Sequence, residues 1–240
     1  MNHVLLSVWQ PLGLTPLPWL AVTIAAYVLG QMLQRACKGS PLANPVLIAI
    51  LVVSALLETT GTPYARYFEG AQFIQFLLGP ATVALGVPLA LNIKHVRRSF
   101  AGVGLALLGG SLTSALSGVA IVAWLGGDRA AAFSMAPKAV TTPIALSLSQ
   151  EIGGIPALTA ALAIAGGIIA AIVGRTMLRW LRVDDWRAHG LAAGVAGSGV
   201  AASQVAPLNG MAAAFAALGI GLNGLLTAAI VPLLAMLWPR

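Results

Sequence analysis

Apolar stretches of about twenty residues recur along this chain, each closed by a short group of arginine, lysine, proline or glycine, and no other feature narrows the fold so far. A helix crosses the roughly 30 Å of a bilayer's hydrocarbon core with about 20 residues. The residues are 59% hydrophobic and 8% charged, whereas soluble domains carry about 25% charged residues. Water cannot be kept from so much apolar surface by one core, but lipid accepts it on the outside of every helix. The expected fold is an all-α polytopic integral membrane protein, with residues 1–240 as a single transmembrane domain.

The formal charge of +7 does not indicate nucleic acid, because the thirteen Lys and Arg are scattered in small groups between apolar stretches. Cys37 is the single cysteine, so no internal disulfide forms. His3, His95 and His189 stand too far apart to suggest a metal site. Gly219-Ile-Gly221-Leu-Asn223-Gly224 and Gly197-Ser-Gly199-Val-Ala-Ala202 fit a dinucleotide-binding pattern, yet no acid follows Asp185 to hold a ribose. No cofactor is expected. Glu58, Glu69, Asp128, Glu151, Asp184 and Asp185 all fall at predicted helix ends or loops, which argues against a buried proton relay. With no nucleophile and base paired, an enzyme is not expected. Residues 4–14 lack a basic start and a small-x-small cleavage site, and read as a mature amphipathic segment.

The breaks predict spans at 17–36, 44–58, 72–92, 100–125, 156–181, 188–204 and 211–238, with an interfacial linker over 59–70. The span at 72–92 is expected to break at Gly79-Pro80 and again at Pro88. Arg35 and Lys38, the group Lys94, Arg97 and Arg98, and the group Arg179, Arg182 and Arg187 all read as cytoplasmic. That assignment sets Asp128 and Arg129 outside, and requires residues 131–150 to enter and return as two half-helices meeting near Pro137 to Pro143. The result is about seven spans plus a re-entrant segment, N-terminus outside and C-terminus inside; a full crossing at 131–150 would reverse that parity. Residues 82–90 echo residues 227–235, either as a weak internal repeat or as chance likeness among alanine, leucine and valine.

Lys138 is the charge set deepest in an apolar stretch, where insertion costs about 2.5 to 3.5 kcal/mol. Beside Thr141, Thr142 and Pro143 it would join a cation, two hydroxyls and the amides of a half-helix start, a set suited to a carboxylate. Alternatively it snorkels, or pairs with Glu151. Thr82, after Gly79-Pro80, either lines a cavity or bonds a carbonyl four residues back. Asn223, between Gly221 and Gly224, reads as a polar group on a broken helix, facing a cavity or bonding a neighbouring helix.

Residues 44–90, with NPVLIAIL and GPATVALGVPL, resemble the LrgB/CidB family. So do PKAVTTPIALSLSQEIGGIPALTA at 137–160 and AFAALGIGLNGLLTA at 214–228. The resemblance implies a multi-pass bacterial inner-membrane protein of the kind described as antiholin-like, usually encoded beside a small LrgA/CidA-type membrane partner. The plastid glycolate/glycerate translocator is similar in this domain, and bacterial relatives are linked to pyruvate and related carboxylates. Transport of small organic anions is therefore the expected function, with Gly79 to Thr82, Lys138, Thr141, Thr142, Pro143 and Asn223 as the positions that match the family's strings. The alternative is a regulator of membrane permeability and autolysis acting on a holin-like partner, or as a homo-oligomer, through small-residue surfaces such as Gly190-x-x-x-Gly194. Residues 194–204 depart from the family pattern: Ser198 stands where histidine is expected and Gln204 where arginine is. An acid is also missing near Met211 and Ala212. Ser198 is included among the expected substrate-binding residues.

Overall fold

The computed structural model describes residues 16–37, 40, 43–84, 86–91 and 93–237, and the described residues hold helices and no strands. The amphipathic start at 4–14 lies outside them, as do Lys38 and the side chains of Thr82, Pro88 and His95. Contacts divide the chain into two compact units, Met1–Ala84 and Leu85–Arg240.

The first unit contains α1 (Leu17–Ala36), α2 (Pro45–Thr60) and α3 (Tyr64–Ala84). Asn44 starts α2: its side-chain oxygen accepts from the Val46 and Leu47 amides, while Pro45 takes the first-turn position that needs no donor. Gly61, at φ 60°, ends α2 in a left-handed cap, with its own amide and that of Thr62 closing onto Glu58 and Leu57. The backbone of α2 approaches α1 at Gly30, where a Cβ would collide with Pro45. Trp19 meets Tyr67 edge to face at 6.1 Å, and the Tyr67 hydroxyl lies 3.2 Å from that of Thr23.

The structure corrects two expectations in this unit. Residues 59–70 are not a linker: Thr59 and Thr60 finish α2, their hydroxyls bonding carbonyls four residues back, and α3 begins at Tyr64. The break at Gly79-Pro80 is also absent, since α3 runs through Pro80 to Ala84. Proline removes one amide and strands one carbonyl, and a membrane helix tolerates that loss without breaking.

The second unit opens with α4 (Gly86–Leu91) and α5 (Ile93–Arg98), followed by α6 (Phe100–Trp124), α7 (Arg129–Met135) and α8 (Thr142–Glu151). Then come α9 (Pro156–Trp180), α10 (Trp186–Val205), a 3-10 turn at Ala206–Leu208, and α11 (Gly210–Leu237). Asp128 caps α7 by accepting from the Ala131 amide, and Asp185 caps α10 by accepting from the Arg187 amide. The Arg187 side chain also donates to the Asp185 carboxylate and holds that acid below its usual range.

Among the described residues, five helices are long and apolar enough to cross a membrane: α1, α6, α9, α10 extended to Leu208, and α11. Helix α2 is apolar but shorter, at 16 residues. The core of the second unit lies where α6, α10 and α11 meet, around Leu107, Val195 and Phe215. Backbones come close there because Gly190 and Gly194 of α10 face the Ala212 and Ala216 carbonyls of α11, where any Cβ would collide. The Gly190-x-x-x-Gly194 stripe, expected as a surface for a partner, is thus spent on an internal helix pair.

Candidate functional site

Two interruptions of helical geometry define the site. The first lies between α7 and α8, where residues 136–141 pass through tight turns and Thr141 is extended, at ψ 143°. At 7 and 10 residues, neither flanking helix has the length of a span. The end of α7 next to the bend is tied to the end of α8 away from it. The Thr159 hydroxyl of α9 lies 2.7 Å from Ser149 Oγ of α8 and donates to the Ser134 carbonyl of α7 at 3.0 Å. Ser134 Oγ in turn accepts from the Ile155 amide at 2.8 Å. Positions distant in sequence are gathered on one fully buried knot of hydroxyls.

Lys138 stands in the bend between α7 and α8. Its ammonium donates to the carbonyl and hydroxyl of Ser114 on α6, at 2.7 and 3.2 Å. Gly118 makes room, since a Cβ there would stand 2.9 Å from Nζ. The alternative pairing with Glu151 does not form: among the described residues the ion pair is Arg187 with Asp185. An ammonium has three donors, so one remains for a ligand. Thr141 and Thr142 follow at the start of α8, half-buried, and neither hydroxyl bonds a described residue. Pro143 occupies the first turn, ahead of the first intrahelical bond, from the Ala145 amide to the Thr141 carbonyl. A cation, two hydroxyls and the positive end of a helix therefore lie within five consecutive residues.

The second interruption is in α10 at Ser198, whose φ of 48° and ψ of −137° depart from helix. Such a conformation costs a non-glycine residue about 1 to 3 kcal/mol. Ser198 is 9% exposed, and its hydroxyl has no partner. Asn223 of α11 joins the two interruptions. Its amide nitrogen donates to the Ala139 carbonyl in the bend between α7 and α8 at 3.0 Å and to the Val195 carbonyl of α10 at 3.2 Å, while its oxygen accepts from Ser111 of α6. The Val195 carbonyl lies one turn before the kink, so Asn223 holds α10 beside its interruption.

These contacts correct the expectation for residues 219–224. Helix α11 runs unbroken through Gly219, Gly221 and Gly224. Gly219 accommodates the α10 backbone and Gly224 approaches Ile144 of α8, so close packing accounts for both. Asn223 is 1% exposed with both donors engaged by protein, as a helix-to-helix clip. Gln204 lies in the last turn of α10, and the Met211 amide bonds the Asn209 side chain at the start of α11. Ser111, Ser114 and Gly118 of α6 join the site without being among the residues the sequence singles out; their spacing of three and four, which marks one face of the helix, is the signal that could have found them.

The sequence pattern of the LrgB-like family matches residues 23–237. The chain is 30% identical to Antiholin-like protein LrgB of Bacillus cereus (strain B4264) over 220 residues, covering 92% of this chain and 96% of that protein. It is 30% identical over the same share to Antiholin-like protein LrgB of Bacillus anthracis (strain A0248). No solved structure matches the chain. By the extent of these matches, the chain is a multi-pass membrane protein that belongs to the LrgB-like family.

Proposed function

We propose that this protein carries small organic anions, carboxylates of the glycolate, glycerate and pyruvate kind, across a bacterial inner membrane. The supporting observation is the bend between α7 and α8, where Lys138 keeps a donor, Thr141 and Thr142 keep their hydroxyls, and α8 begins. The ammonium attracts the carboxylate, and the hydroxyls bond the carboxylate or a neighbouring hydroxyl of the substrate. The start of α8 adds about 0.3 to 1 kcal/mol. Ser198, buried and unpartnered at the facing break, offers a further hydroxyl. Asn223 positions both breaks without touching substrate. Sites built from interrupted helices at mid-membrane suit alternating access, in which the two sides open in turn. In this reading residues 131–150 enter and leave on the outer side, with the N-terminus outside; because α11 runs parallel to α6, its start beside Val103 and Leu107 and Val231 beside Ala115, the C-terminus falls on the outer side as well and not inside as the sequence implies.

The names of the relatives favour a second reading: an antiholin-like regulator that acts with a small LrgA/CidA-type membrane partner. Uptake of labelled glycolate or pyruvate into proteoliposomes distinguishes the two. The carrier reading expects substrate-dependent uptake without a partner, falling at least about tenfold in Lys138→Ala, the worth of one charge-assisted hydrogen bond. Uptake that persists in Lys138→Ala removes that residue from the site. Vesicles no more permeable than protein-free ones, until a partner is added, would support the regulator.

A further inference from the structure

We propose that the second unit holds a specific site for an anionic phospholipid, with its acyl chain between α6, α7 and α11 and its phosphate on Arg129. A cavity of about 120 Å³ lies there, walled at the back by the buried side chains of Val119, Phe133, Ala136 and Val231. Its rim carries Leu116 and Leu237, both exposed, so it opens outward from the helix bundle. A dry apolar cavity of about 150 Å³ takes a guest the size of benzene, and this one is of comparable size. In a bilayer the apolar chain that meets such an opening is an acyl chain.

Charge fixes the kind of lipid. The Arg129 guanidinium stacks 4.8 Å from the centroid of Phe133, the ring that forms part of the cavity wall. Among the described residues it has no carboxylate partner within salt-bridge distance, and its planar donors match a phosphate. The turn before it places Trp124, 86% exposed, beside the exposed Leu125, the pattern of a membrane–water boundary. A cation at the boundary and an apolar slot on its inner side reproduce the division of a phospholipid into headgroup and tail.

The test titrates delipidated full-length protein in detergent with phosphatidylglycerol or phosphatidylcholine of identical chains, counting bound lipid by native mass spectrometry. Phosphatidylglycerol is expected to bind about tenfold more tightly, the worth of one charge-assisted pairing. Arg129→Gln, on the exposed surface, erases that preference, weakening phosphatidylglycerol more than phosphatidylcholine, whose phosphate charge is already offset by its choline. Ala235→Phe, which fills the cavity, weakens both lipids. Equal binding of the two lipids to the unaltered protein overturns the proposal, as does a preference that survives Arg129→Gln. Undiminished lipid binding in Ala235→Phe, with loss of a dimer, would assign the cavity to a second copy of the chain instead.

Discussion

Helices α10 and α11 pack along each other, are both rich in alanine and glycine, and both carry a glycine-x-glycine run, yet only α10 is broken. At 197–199 the residue between the glycines is Ser198, which adopts a left-handed backbone; at 219–221 it is Ile220, which stays helical and buried. Glycine lowers the cost of leaving a helix but does not impose the departure. What distinguishes the two places is a contact from outside the helix. The carbonyl before the α10 kink is held by Asn223, a residue that the unbroken α11 presents to it. The straight helix thus sustains the bent one.

The comparison is most severely broken at Gly194. Gly194→Ala drives a Cβ into the Ala216 carbonyl of α11, with backbone on both sides, and should cost about 3 kcal/mol in unfolding titrations in bicelles. A variant as stable as the parent would mean that the two helices are not held at this separation. Asn223→Ala removes the clip and strands the Val195 and Ala139 carbonyls, for a loss of about 2 kcal/mol by the same assay. Were stability unchanged while uptake fell, Asn223 would be a substrate ligand after all. Ser198→Gly relieves the left-handed strain and should stabilise by about 1 kcal/mol. Destabilisation would show that the hydroxyl contributes to the fold. The smallest effect belongs to Gly221→Ala, where nothing lies within 4 Å and helix propensity favours alanine by about 0.5 to 1 kcal/mol. A loss there would show that α11 does need flexibility at its glycines.

The interruption between α7 and α8 was legible because two prolines and a lysine break an apolar run, and each has a physical cost in a membrane helix. The break at Ser198 was not, because Gly-Ser-Gly also reads as a packing surface, and the residue that stabilises the kink lies on another helix. Gly219 to Gly224 misled for the converse reason: the same small residues serve close approach to α8 and α10. Pro80 misled because the loss of one hydrogen bond is less than the loss of a helix. The polar stretch 59–70 suggested a loop, but threonine hydroxyls that bond their own helix carry polarity without ending it. Asn223 could be recognised as polar and buried, but the identity of its partners depended on tertiary packing.

The knot of Ser134, Ser149 and Thr159 has a mechanical consequence. Hydroxyls rotate about their bonds and exchange donor and acceptor roles, so this base can accommodate a change of angle without leaving any member unpaired. The bend that follows Ser134 is tethered to α6 by one ammonium, that of the half-buried Lys138. The interruption between α7 and α8 is thus held by hydroxyls that can turn on one side and by a single cation on the other.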